Sequence, residues 1–167
     1  MTDSAASPAF PPDSIEAFLR LCEGEWMNLR SQFNLGDNAD GENGDEWHTS
    51  ERGELVVTYL AESDGPGGLS VGPKGTPPRQ LLFAGGGSFR SQGPGSSTEG
   101  SWQLWPDGSL ELVLSQGDAE VRERIWFTKP NLRLRSTVEH RADGSPGRAS
   151  FSSEIRRVSK PADRPAT

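Results

Sequence analysis

Apolar residues change their spacing along this chain, and each change marks an element. Ile15, Phe18, Leu19 and Cys22 fall at i, i+3, i+4 and i+7, one stripe of an α-helix. Asp13, with Glu16 three residues on, reads as an acidic capping box, so a helix is expected to begin there, and Gly24 stands where a left-handed residue would end it. From Trp26 the period shortens to two. Residues 26–35, 47–52, 54–61, 80–84, 100–105, 109–115 and 149–158 read as strands. The most regular stretch is 120–135, where two alternating runs flank Lys129-Pro130-Asn131. Pro presets φ and Asn tolerates a left-handed backbone, so a β-hairpin is expected.

Within that hairpin, side chains alternate between two faces. Val121, Glu123, Ile125 and Phe127 share one face, while Arg122, Arg124 and Trp126 take the other. Beyond the turn, Arg133, Arg135 and Thr137 alternate with Leu132, Leu134 and Val138; in the last strand Phe151 and Ile155 oppose Ser152, Glu154 and Arg156. A strict two-residue turn at Pro130-Asn131 pairs Phe127 with Leu134 and puts Glu123 opposite Val138, on the other face from Arg133. Either the turn is longer or bulged by one residue, or Glu123 stands apart from the arginines.

The breaks between strands are rich in Gly, Pro, Asn and Asp. Residues 36–45 contain Asp37, Asp40, Glu42 and Asp45 but lack the spacing of a calcium-binding loop, so a solvated loop is expected. Residues 62–79 read as turns. Gly85-Gly86-Gly87 has no phosphate-loop lysine and reads as a hairpin tip. One helix followed by eight or more short antiparallel strands predicts a mainly β protein, either a sandwich or a closed barrel able to hold one small ligand. The expected domain is 13–158, between disordered tails at 1–12 and 159–167.

Composition narrows the chemistry. Of 167 residues 32% are hydrophobic, and 20 Gly with 13 Pro fit a chain of many turns. No run of 18 apolar residues occurs and the opening lacks a basic stretch before an apolar one, so a soluble, cytoplasmic protein without membrane insertion is expected. A net charge of -7 argues against nucleic acid as a partner, and an anionic ligand needs a local basic pocket. The single cysteine, Cys22, lies on the helix stripe and is expected in the core. His48 and His140 have no ligand spacing with it, so no metal is expected. No nucleophile elbow is present. Activity then rests on carboxylates and arginines: Glu123 and Glu154 lie in patterned strands, and the arginine rows are either a solvated face or an anion-binding wall.

Several of these residues form a recognisable set. The run Arg124-Ile125-Trp126-Phe127 through Pro130-Asn131-Leu132-Arg133-Leu134-Arg135, followed by Ala149-Ser150-Phe151 and Ser153-Glu154-Ile155-Arg156, resembles the CpcS/CpeS family of phycobiliprotein lyases. Ile15-Glu16-Ala17-Phe18 and Gly24-Glu25-Trp26 leading to Arg30-Ser31 are similar to its helix and first strand. The resemblance covers about residues 14 to 158. It implies a lipocalin-like (calycin) antiparallel β-barrel with an N-terminal helix, which binds a linear tetrapyrrole and attaches it through a thioether bond to a cysteine of a phycobiliprotein subunit. The substrate is then a bilin, phycocyanobilin or phycoerythrobilin, with no prosthetic group. Its two propionates fall to Arg30, Arg133 and Arg135 as charge-assisted partners. Trp26, Trp126 and Phe127 are the aromatic candidates for the cavity wall. By the same resemblance Glu154 and Glu123 take the catalytic place beside the pyrrole nitrogens, and the nucleophile is the acceptor's thiol rather than Cys22. A non-catalytic bilin carrier, a partner subunit of a lyase and a lipocalin-like carrier of another amphiphile are the alternatives, and a homodimer or a related lyase subunit stays open as partner.

Overall fold

The computed structural model of the protein describes residues 9–34, 48–62 and 65–158; the acidic stretch holding Asp37, Asp40, Glu42 and Asp45 lies outside the described residues, as do 1–8 and 159–167. The helix α1 spans Ile15–Cys22. Its cap is Ser14 and not Asp13: the Ser14 hydroxyl accepts the Ala17 N–H at 3.1 Å from an extended backbone. Glu16 instead bonds Arg20 one turn on, 3.0 Å away. Phe18, Leu19 and Cys22 are fully buried, as the stripe predicted.

Ten strands follow: β1 (Gly24–Asn34), β2 (His48–Leu60), β3 (Gly67–Pro73), β4 (Arg79–Phe83), β5 (Ser88–Gly93), β6 (Ser96–Leu104), β7 (Leu110–Gln116), β8 (Ala119–Lys129), β9 (Leu132–Arg141) and β10 (Pro146–Arg156). Each pairs antiparallel with its neighbours in sequence, and β1 closes on β10, so the sheet is a closed barrel without free edges. The expected mainly β barrel with an N-terminal helix is therefore what the chain adopts.

Local differences have physical causes. The two strands expected on either side of Gly53 are one strand, β2, because Gly53 keeps its place in the ladder opposite Asn28. β3 lies within the stretch read as turns; its glycines and Pro73 mask the β signal, yet it pairs with both β2 and β4. β5 was likewise not expected. Its ladder to β4 and β6, rather than its mostly polar sequence, makes it a strand.

The helix packs against β2 and β3, and Phe18 also meets Phe127 of β8 edge-on at 5.2 Å, so α1 reaches across one end of the barrel. Beneath it Trp26, Val57, Leu69, Leu110 and Ile125 complete an apolar core. Farther from the helix, β1, β10 and β9 reverse the usual arrangement. Their polar residues, among them Asn28, Ser152, Glu154 and Arg133, point inward, while Met27, Leu29, Phe151 and Ile155 alternate outward and are exposed. Spending one face of three strands on polar groups makes sense only if the interior is more than a core.

Candidate functional site

Glu154 of β10 is the centre of the polar interior, with no exposed side-chain surface. Its Cα partner across the ladder is Arg133 of β9, whose Nε donates to Oε1 at 2.8 Å. Arg135, two residues on and therefore on the same face, donates from Nη2 to Oε2 at 3.2 Å. From the other side, Asn28 of β1 donates from Nδ2 to the same oxygen at 2.8 Å. Burial by itself pushes the Glu154 carboxyl up, but the guanidiniums of Arg133 and Arg135 and the donated hydrogen bonds outweigh it and hold the carboxyl below its ordinary value. Glu154 is ionised, with its oxygens already engaged.

The turn question is settled by a bulge. Lys129 pairs with Leu132 and Phe127 with Arg133, leaving Thr128 as the extra residue. The shift by one turns Glu123 onto the face of the arginines, opposite Thr137, and its Oε1 lies 3.6 Å from Arg135 Nη1. Arg135 is thus held between two carboxylates, and both Arg135 and Glu123 remain about a fifth exposed towards the interior space.

A third arginine, Arg156, explains the rest of the motif. Arg156 donates to the backbone oxygens of Leu21 and Glu23 at the end of α1, and its Nε donates to Asn131 Oδ1 at 3.0 Å. It therefore ties the helix terminus to the β8–β9 turn. Gly24, at φ +145°, is not a helix stop but the opening of β1; a Cβ there would sit 2.6 Å from Arg156 Nη1. The guanidiniums of Arg133 and Arg156 both lie over the Trp26 ring, 4.8 Å and 4.2 Å from its centroid, and its indole N–H donates to the Cys22 carbonyl at 2.9 Å.

These contacts redistribute the residues expected at the site. Arg135 and Glu123 line a cavity of about 980 Å³ whose wall mixes apolar side chains, among them Val71, Leu81, Phe89, Leu112 and Leu114, with polar ones that include Arg79, Ser91 and Glu99. Arg30 lines an adjoining recess of about 490 Å³ that shares Gln116 and Val121 with the cavity, and a smaller one that shares Arg135. Three groups expected at the site lie away from this cavity wall. Trp26 and Phe127 belong to the core below the helix, 6.1 Å apart between ring centroids, and do not line the cavity. Trp126 lies on the outer face, 5.6 Å from Arg124, because the pleat sends it opposite to Phe127. Glu154 and Arg133 stand behind the cavity wall, since both are closed off from it by their own contacts.

Two lining or supporting residues were missed by sequence reasoning. Asn28 shares its strand parity with Trp26 and Arg30, which was a readable signal. Arg79 follows Pro77-Pro78 at the start of a short strand, and only its alternation with Leu81 hinted that it points inward. Burial pushes the Cys22 thiol up despite the neighbouring Arg133, so it is a neutral core group. A carboxylate and a fixed arginine at the wall of a partly apolar cavity suit a planar, largely apolar ligand that carries carboxylates and N–H donors.

Comparisons with known proteins agree with this architecture. The family described as "CpeS-like protein" matches residues 82–157. The chain is 45% identical over 154 residues, covering 90% of its length and 92% of the relative's, to a protein named chromophore lyase CpcS/CpeS 1 from Paulinella chromatophora. It is 34% identical over 117 residues, covering 68% of the chain and 53% of the relative, to chromophore lyase CpcS/CpeS 2 from Synechococcus sp. (strain JA-3-3Ab). The solved structure of the S-type phycobiliprotein lyase CPES from Guillardia theta superposes with a TM-score of 0.63 at 21% identity, over 92% of this chain and all of that one.

Proposed function

Because this chain belongs to the family of CpcS/CpeS chromophore lyases, we propose that it binds a bilin in the barrel and attaches it through a thioether bond to a cysteine of a phycobiliprotein subunit. The observation that carries the reading is the cavity of about 980 Å³, where apolar side chains such as Leu81, Phe89 and Leu112 stand together with Arg135 and Glu123. Its size is in the range of small-molecule sites. Arg135, set by Glu154 and Glu123, and Arg30 in the adjoining recess hold propionate oxygens. Glu123 accepts pyrrole N–H groups and favours the protonated, more electrophilic bilin. Glu154 and Arg133 act one layer back by fixing Arg135, and Trp26 with Phe127 form the floor on which that layer rests. Trp126 has no part in the binding proposal.

Transfer then adds the acceptor's S–H across a double bond of the conjugated bilin, sulfur bonding one end while the proton is taken up at the other end of the conjugated system as the π bond is consumed, so no leaving group and no nucleophile of this chain are required. The contribution of the barrel is to fix the bilin's conformation and present one carbon to the acceptor cysteine. The pigment is phycocyanobilin or phycoerythrobilin, the setting is the cytoplasm, and a second copy or a related lyase subunit is the proposed companion; molar mass in solution, alone and with an acceptor, tests the last. No helix among the described residues is long and apolar enough to cross a membrane.

The test is co-expression with a bilin-producing pathway and single phycobiliprotein subunits, reading covalent pigment on the denatured subunit by zinc-enhanced fluorescence. Labelling that depends on this chain is expected. Pigment that co-purifies with the chain while the subunit stays unlabelled would make it a carrier or an incomplete partner.

A further inference from the structure

Arg79 is the cavity cation whose charge the bilin reading leaves unused. It opens β4, shares its face with Leu81, and lines the same cavity as Arg135. Its Nη1 donates to Ser91 Oγ at 2.9 Å and its Nη2 to Ser96 Oγ at 2.7 Å. Ser91 is itself 5% exposed, so this is a built setting and not a surface arginine resting on chance partners. Serine hydroxyls position a guanidinium without neutralising it, and a guanidinium carries five N–H donors, of which these bonds use two. Among the described residues no carboxylate forms an ion pair with Arg79; Glu99, which also lines the cavity, pairs with Arg90 at 3.4 Å. Arg135, by contrast, already has Glu123 and Glu154.

Its position is enforced by the backbone opposite. A Cβ at Gly93 would lie 2.8 Å from both the Cζ and Nη2 atoms of Arg79, so the guanidinium rests against the end of β5 only because that residue has no side chain. The barrel order then fixes the geometry at large: β4 is five strands from β9 by either route around the closed sheet, so Arg79 and Arg135 stand on opposite walls of one cavity.

We propose that Arg79, and not Arg30 of the adjoining recess, is the second carboxylate anchor, holding one propionate of the bilin while Arg135 holds the other across the cavity. The inference rests on the bilin reading above and adds a residue and a bound orientation to it. A ligand pinned at two opposed points cannot rotate about either one, which keeps a single carbon turned to the acceptor. A carrier of an amphiphile with one carboxylate would have no use for the second anchor.

The experiment is an absorbance titration of the full chain with phycocyanobilin and with its dimethyl ester, in wild type and in Arg79→Gln, Arg79→Lys and Gly93→Val. Loss of a charge-assisted pair costs on the order of tenfold to a hundredfold in affinity. Arg79→Gln is expected to lose that factor for the free acid and little for the ester; Arg79→Lys should retain part of it. Gly93→Val keeps the charge but displaces it, and should weaken free-acid binding in the same direction. Circular dichroism verifies that each variant is folded. Equal free-acid affinity in wild type and Arg79→Gln, or the same loss for acid and ester, overturns the assignment while leaving the bilin reading intact. Failure of the folded wild type to bind the free acid overturns that reading and this inference with it.

Discussion

Arg133 and Glu154 face each other across one rung of β9 and β10, 2.8 Å apart, with 3% and 0% of their side chains exposed. Neither charge has water to fall back on, so each depends on the other, and the exposed end of the network, Arg135, depends on both.

Glu154→Gln removes the charge and leaves Arg133 buried without its carboxylate. Breaking a buried pair from one side costs about 3–5 kcal/mol. Urea denaturation is expected to show a loss of that order, together with weaker bilin binding through a loosened Arg135. A loss below about 1 kcal/mol, the range of surface pairs, would show that the interior is wet enough to solvate Arg133.

The same pair sets a pH dependence. The Glu154 carboxyl is held below its ordinary value of 4.5, so its contribution to stability is fully present above that value and is lost as pH falls through the lower folded-state value. The stability gap between wild type and Glu154→Gln should therefore be constant from neutral pH down to the ordinary carboxylate range and shrink below it. Denaturation curves taken across that range measure the gap; one that grew on acidification would mean that Glu154 is protonated in the fold.

Glu123→Gln separates chemistry from folding. The side chain is 21% exposed and its contact with Arg135 is 3.6 Å, so stability should change by no more than about 1 kcal/mol. Bound bilin should lose the absorption of its protonated form, and transfer to the acceptor should slow. Unchanged absorption and transfer would remove Glu123 from the mechanism.

Gly24→Ala tests the link between helix and turn. A Cβ at this position meets Arg156 Nη1 at 2.6 Å on a backbone with φ +145°, whereas a Cβ at Gly53 meets nothing within 4 Å. Thermal denaturation should show Gly24→Ala destabilised by more than about 1 kcal/mol and Gly53→Ala nearly neutral. Equal effects would mean that Arg156 moves aside at no cost.

Cys22 should behave as a core methyl-sized group. The folded protein is expected to resist thiol alkylation until denatured, and Cys22→Ala should keep transfer activity at a stability cost of about 1 kcal/mol. Covalent bilin on Cys22, seen as a mass shift of this chain, would contradict the assignment of the nucleophile to the acceptor.

Much of this architecture was legible in the residues because its cause is local. A strand's pleat sends neighbours to opposite faces, so the pairing of Glu123 with Ile125 and Phe127, of Arg133 with Arg135, and of Glu154 with Ser152 could be read from alternation, as could the buried stripe of α1. The motif shared with the CpcS/CpeS family marked the same residues. What alternation cannot say is which face closes inward and against what. The bulge at Thr128 adds one residue without any strong sequence mark, yet it decides that Glu123 meets Arg135. Closure of β1 on β10 brings Asn28 to Glu154, and the helix folding over that end takes Trp26 and Phe127 for the core instead of the cavity. Arg79 finds Ser91, Ser96 and the space left by Gly93 only once β4, β5 and β6 are paired. The sequence by itself determined the helix, most of the strands with their two faces, and the family; the tertiary structure alone decided β3, β5 and the members of the site, because ladders, register and closure arise from contacts between residues far apart in the chain.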